Sequence, residues 1–205
     1  MTLWAIVPVK PFGLIKSRLA GIFTQEERAD LNQHLLRNTL KTLTKLPEIE
    51  QVLVVSRDQA VLSLAREMGA RTVQENSDLD INVALTRATI VAKTYSTRGV
   101  LIMPADLPLI TPEDVKTMLA RATDPPVVVV APDRHRNSTN ALLVCPAGLI
   151  EYHYGADSFE KHCELARAAG ACVKVCELPS LTLDLDNPED LALLEKDIDI
   201  DLDFG

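Results

Sequence analysis

Two stretches of this chain place carboxylates just beyond apolar runs of strand length. In VLIMPADLPLI, Asp106 stands between Pro104 and Pro108. Proline fixes its own φ and biases the residue before it toward extended backbone, so this carboxylate is held in a stiff turn at a strand mouth. A carboxylate there suits a hard divalent cation such as Mg²⁺, which takes oxygen ligands and keeps several waters. An Asx turn or a helix cap is the competing use. In LTLDLDNPEDL, Asp184 and Asp186 alternate along an extended stretch, which puts both side chains on one face. Two like charges on one face repel unless a cation or solvent lies between them. With Asp106 they form a candidate carboxylate cage for Mg²⁺. Asp186 has a competing use as N-cap of a helix starting near Pro188, a part that Asn187 can play instead.

Cations come from a third stretch. VKPFGLIKSRL follows the first apolar run and carries Lys10, Lys16 and Arg18, with Gly13 to permit a tight backbone. Three cations at one strand mouth suit a polyphosphate, and arginine grips phosphate with two parallel bonds. The loop is neither a Walker P-loop nor a G-x-G-x-x-G fingerprint, and a solvated basic loop is its bland reading. Further on, DRHRNSTNALLV and YHYGADSF supply Thr139, Gly155 and Ser158. Their hydroxyls and backbone N–H groups suit an anion, Ser158 gaining from the dipole of the helix it opens. Ser158 as a plain N-cap is the alternative. His34, His135, His153 and His162 share no ligand spacing, so no metal or base role is assigned to them, and Trp4 and Phe12 are assigned to packing.

Charge narrows the function classes. Residues 184–205 hold seven Asp, two Glu and a single Lys196, and so account for the whole net charge of −8 of the 205 residues. The neutral remainder lacks the clustered Lys/Arg that nucleic acid or anionic lipid requires. No run of 18 uncharged apolar residues suggests a membrane span. MTLWAIVPVK has no basic leader region and reads as a first strand. The four cysteines show no CxxC pair and are read as buried free thiols of a reducing cytoplasm.

The elements that must position these groups alternate along the chain. Apolar runs at Leu3–Val9, Val52–Val55, Gly99–Met103 and Val127–Ala131 have the length of buried strands. Helical patterns fill Gln25–Leu46, Gln59–Met68, Ile81–Tyr95 and Pro112–Ala122. Thr24 with Glu27 reads as a capping box, and Thr111-Pro112 with Asp114 as a second helix start. In the last third, strands at Asn140–Val144 and Val173–Leu178 flank an irregular segment and a helix at Ser158–Ala169. This order predicts a single α/β domain, residues 1–196, followed by an acidic tail at 197–205. Its sheet is mostly parallel but mixed, with helices on both faces. Such sheets bind ligands beyond the carboxyl ends of their strands, where the candidate residues fall.

Taken in order, PVKPF…KSRL, LTRA, PADLP, STNALLV, YGADSF and DLDNPEDL resemble the 2-phospho-L-lactate/phosphoenolpyruvate guanylyltransferases of coenzyme F420 biosynthesis, from Leu3 to about Leu194. The resemblance implies a nucleotidyltransferase fold of the glycosyltransferase-A type and transfer of GMP from GTP to a small phosphorylated three-carbon acid. It implies two Mg²⁺ ions on Asp106, Asp184 and Asp186, and Thr139, Gly155 and Ser158 as the groups that hold the acid. Lys16 and Arg18 become the catalytic cations on the GTP phosphates, with Lys10 beside them, and Asn82 a contact to the nucleoside. GTP, the acid and the downstream F420-assembling transferase are the implied partners. The approach to the TNAL strand, often glycine-rich in that family, is here DRHRNSTNAL. Molybdenum-cofactor and sugar-phosphate nucleotidyltransferases share the fold but carry a G-x-G-x-R loop after the first strand, which KPFGLIKSR lacks. A non-catalytic nucleotide-binding protein is the rival from another class.

Overall fold

A computed structural model describes residues 3–12, 16–75 and 80–197. Gly13 and the tail beyond residue 197 lie outside the described residues. The first strand, β1 (Leu3–Pro8), lies in the interior of a seven-stranded sheet. It pairs in parallel with β2 (Ile49–Ser56) on one side and β4 (Gly99–Ile102) on the other, and β3 (Arg71–Gln74) extends the β2 side in parallel. Beyond β4 comes β6 (Thr139–Cys145), antiparallel to both β4 and β5 (Val127–Pro132). The far edge is β7 (Cys172–Val175), parallel to β5. The order is β3-β2-β1-β4-β6-β5-β7, a mixed and mostly parallel sheet as the alternating pattern predicts.

Strand periodicity divides the interior into two layers. Leu3, Ala5 and Val7 enter one apolar cluster, and Trp4 and Ile6 enter the other, because successive side chains point to opposite faces. The first layer is covered by α1 (Gln25–Thr44), α2 (Gln59–Glu67) and α4 (Pro112–Ala120), through residues such as Leu36, Leu40, Val61 and Val115. The second is covered by α3 (Ile81–Lys93) and α5 (Ser158–Ala168), through Leu85, Ala88, Phe159 and Cys163. Thr24 and Thr111 both close capping boxes, with Glu27 and Asp114. Trp4 and Phe12 are buried packing residues. All four cysteines are free, but Cys172 is exposed where burial was expected, since it begins an edge strand. No described helix is long and apolar enough to cross a membrane.

A third cluster positions the site. After α6 (Pro179–Thr182) the chain runs extended into α7 (Pro188–Asp197). Leu183, Leu185, Leu191 and Leu194 pack there against Leu31 and Leu35 of α1 and against Leu19, which ends a short 3-10 turn at Ser17–Leu19. Each fully buried leucine contributes about 2 kcal/mol of burial energy. That packing lays the last acidic stretch beside the first basic loop.

Candidate active site

A cavity of about 780 Å³ runs along the sheet edge where β1, β2, β3 and β4 end. Because β6 is antiparallel to its neighbours, its first residues open on this same edge, Thr139 lying opposite Pro132 of β5. The cleft brings together Lys10, Lys16, Arg18, Asp106, Thr139, Gly155, Ser158, Asp184 and Asp186. Nine of the ten residues singled out in the sequence thus share one wall system. Asn82 does not line it.

The acidic wall comes from two segments joined by backbone. Leu185 N–H donates to the Asp106 carbonyl at 3.0 Å, tying the extended stretch to the Pro104–Pro108 turn. Leu183 and Leu185 point into the third cluster, so Asp184 and Asp186 face the cleft. The N-cap of α7 is Asn187, whose Oδ1 accepts from Glu189 N–H at 2.9 Å and Asp190 N–H at 3.2 Å. Asp190, nearly buried, accepts in turn from the N–H groups of Asp186 and Asn187 and pairs with Arg134 at 2.8 Å. Capping is therefore complete without the Asp186 carboxylate, which stays available to the cleft.

The carboxylates pay an electrostatic penalty for meeting. Burial, and then the charges of Asp106 and Asp186, push the Asp184 pKa up to about 6. Burial also raises that of Asp106, Lys16 opposing and Asp186 reinforcing the shift. The Lys16 side chain, fully buried, donates to the Leu185 carbonyl, with its ammonium 3.7 Å from Asp186. Its inward course starts from a left-handed backbone, φ 58°, a conformation that costs a non-glycine residue about 1 kcal/mol. Lys10 and Arg18 are exposed at the mouth. Among the described residues no three His, Cys, Asp or Glu side chains converge as preformed metal ligands. What fits a divalent cation is the donor chemistry: three carboxylates line one cleft, and burial, followed by mutual repulsion, makes two of them resist charge.

The same cleft is lined by the hydroxyl residues Thr139 and Ser158. Ser158 is fully buried and its Oγ accepts from Thr139 N–H at 2.9 Å, while Thr139 Oγ1 lies 2.9 Å from His162 Nδ1. Ser158 is not the N-cap of α5. That position belongs to Asp157, which makes no side-chain cap bond, so the plain capping role is replaced by a bond between two loops. Gly155 has φ +130° with open space where a Cβ would be, so backbone conformation and not room calls for glycine there.

Asn82, expected to contact the nucleoside, makes hydrogen bonds to the backbone of Tyr154. Its Oδ1 accepts from Tyr154 N–H at 2.6 Å and its Nδ2 donates to the Tyr154 carbonyl at 3.2 Å. Both halves of the amide are spent mooring the loop that leads to Gly155. Four further residues escaped the sequence reading. Tyr154 and Glu75 line the cleft, and the Tyr154 hydroxyl and Glu75 Oε1 are buried with no hydrogen-bond partner among the described residues. Burial raises the Glu75 pKa, against the charges of Arg87 and Arg57. Asp190 and His162 act from behind the walls. Their spacing in the sequence does not mark these roles, which depend on partners supplied by the fold.

This strand order, with one reversed strand and a cleft at the strand ends, is a fold shared with solved nucleotidyltransferases of the nucleotide-diphospho-sugar transferase type. A solved nucleotidyl transferase from Methanothermobacter thermautotrophicus superposes with a TM-score of 0.67 at 13% identity, over 95% of this chain and 96% of that one. More particularly, residues 3–195 match the family model described as guanylyl transferase CofC like, and the chain belongs to that family. It is 41% identical over 195 residues to a phosphoenolpyruvate guanylyltransferase of Rubrobacter xylanophilus, covering 95% of this chain and 94% of the relative. It is 32% identical over 201 residues to a 2-phospho-L-lactate guanylyltransferase of Methanobrevibacter ruminantium, covering 93% and 83%.

Proposed function

We propose that the protein transfers GMP from GTP to the phosphate of a small phosphorylated three-carbon acid, phosphoenolpyruvate or 2-phospho-L-lactate, and releases pyrophosphate, as a step of coenzyme F420 biosynthesis. The observation that carries this reading is the convergence of carboxylates, a buried lysine and hydroxyl groups in one cleft. Asp106, Asp184, Asp186 and Lys16 line it together with Thr139, Ser158 and Gly155. Family membership agrees with it.

The residue types suit the reaction. An oxygen of the acceptor phosphate attacks the α-phosphorus of GTP; a new P–O bond forms, the bond to the β-phosphate oxygen breaks, and pyrophosphate leaves. A phosphate monoester, with its second pKa near about 6, is already a dianion at neutral pH, so no protein base has to remove a proton. The obstacle is repulsion between anions, and catalysis consists of positioning and charge neutralisation. Lys16, Arg18 and Lys10 supply fixed positive charge for the phosphates. Asp106, Asp184 and Asp186 would hold Mg²⁺, which when bound offsets charge on the α-phosphate and leaving group. Thr139, Ser158 and Gly155 orient the acid. The end of the cleft with Val55, Arg57, Glu75 and Ile81 takes the nucleoside. The Glu75 carboxylate there suits the N1–H and N2–H donors of guanine. The product is a mixed diphosphate whose consumer is the downstream F420-assembling transferase.

The test is pyrophosphate release from GTP and Mg²⁺ with each acid in turn. Release that depends on phosphoenolpyruvate or 2-phospho-L-lactate supports the proposal; release with neither, or equally from GTP alone, defeats it.

A further inference from the structure

Behind the hydroxyl wall lies a buried group that the transfer reaction does not itself need. His162, on α5, has no exposed surface, and both ring nitrogens are engaged. The backbone N–H of His153 donates to Nε2 at 3.0 Å. An N–H donor requires a lone pair, so Nε2 carries no proton and the ring's proton sits on Nδ1. Nδ1 lies 2.9 Å from Thr139 Oγ1 and therefore donates to it. The ring is held in place by an edge contact with Tyr154, centroids 5.0 Å apart at 66°. Burial first, and the charge of His153 second, lower its pKa to about 4, so this neutral form persists across the physiological range.

The consequence falls on Thr139. A hydroxyl has one proton and two lone pairs. With a lone pair committed to His162, the Thr139 proton turns away from the ring, toward the cleft that the residue lines. Ser158 is treated alike, since its Oγ accepts from Thr139 N–H at 2.9 Å. Two adjacent hydroxyls thus each accept one bond from within the protein and keep their protons for another partner. Such a pair favours an anion and disfavours a neutral donor.

Resting on the proposed function, we infer that His162 is a positioning residue for the acceptor: its Nδ1–H tautomer sets the Thr139 hydroxyl as a donor to the anionic group bound between Thr139 and Ser158. The histidine touches no substrate and acts through Thr139 alone.

Kinetics with GTP and whichever of the two acids the wild type uses test this. His162→Ala should raise the acceptor KM about tenfold, the size of one lost hydrogen bond, with the GTP KM within twofold. His162→Asn, whose amide N–H replaces Nδ1–H, should recover most of the loss; recovery would not follow if the ring only filled space. The double variant His162→Ala/Thr139→Val should be no worse than Thr139→Val alone. Independent effects, or equal rises in both KM values, overturn the inference. Should His162→Ala fail to fold, nitrogen NMR of the ring in the intact wild type decides. A protonated Nδ1 and bare Nε2 at pH 7 support the assignment, and the opposite tautomer refutes it. Titration with inorganic phosphate separates the two levels. A wild type that transfers GMP to no acid contradicts the proposed function. A phosphate-induced shift of the His162 signals that Thr139→Val abolishes still supports the donor pair, and no such shift in the wild type overturns it.

Discussion

Asp184→Asn should make the metal-free protein more stable at pH 7 while removing its activity. Asp184 sits among Asp106, Asp186 and Asp190, and its pKa rises from 3.8 to about 6. That rise corresponds to about 3 kcal/mol of native-state cost for carrying the charge. The figure is an upper limit, because part of it is repulsion shared with Asp106. Asparagine keeps the shape, and its Oδ1 keeps the 3.5 Å contact from Asn140 Nδ2, but it carries no charge. The expected gain is about 1–3 kcal/mol, or about 3–10 °C in Tm for a chain of this size. The sign follows from proton binding. A carboxyl with a raised folded pKa binds its proton more tightly in the native state, so its contribution to stability is complete below 3.8. That contribution is lost as pH rises through about 6. The gain in the variant should therefore fall below about 1 kcal/mol at pH 4. Urea unfolding in EDTA at pH 7 and pH 4 measures both values. Mg²⁺ should then stabilise the wild type at pH 7 and leave the variant nearly unmoved. A variant less stable than the wild type at pH 7, or a gain independent of pH, would refute the electrostatic account of this wall.

Other variants separate roles that the cleft brings close. Lys16→Ala should raise the GTP KM and lower kcat by about tenfold or more, since a buried charge-assisted contact is worth about 1.5–3 kcal/mol; steady-state kinetics with GTP varied would show it. Asn82→Ala should raise the acceptor KM and cost about 1–3 kcal/mol of stability by unmooring Tyr154, with the GTP KM unchanged; a selective rise in the GTP KM would restore the nucleoside contact. Asp190→Ala should destabilise by about 2–4 kcal/mol, measured by urea unfolding, because it removes two backbone acceptor bonds and leaves the partly buried Arg134 without its nearest partner.

What could be read from the sequence depended on whether a residue's role was local. Asp106 between prolines and the Asp184–Asp186 alternation announce themselves because strand ends and extended backbone dictate where those side chains point. Both capping boxes are equally local. The strand β3 escaped notice because RTVQ is four residues long, polar at both ends and at the sheet edge, so no apolar run marks it. Asn82 was placed beside the nucleoside, yet its partner lies 72 residues away at Tyr154. Asp190 looked like one more acid of a charged ending until the fold set it against Arg134 and two backbone amides. His162 lies 23 residues from Thr139, and only the crossing of β6 past α5 makes them neighbours. Positions whose function is to hold other residues are specified by tertiary contacts, and a single sequence does not display those.

The central claim is that one cleft brings the α-phosphate of GTP against the phosphate of a small acid. Phosphorus NMR of the purified protein with GTP, Mg²⁺ and phosphoenolpyruvate or 2-phospho-L-lactate addresses it most directly. The account predicts a new pair of coupled diphosphate resonances appearing in step with pyrophosphate, dependent on the acid and absent with Asp106→Asn. Pyrophosphate without a new diphosphate, or no change with either acid, would contradict it.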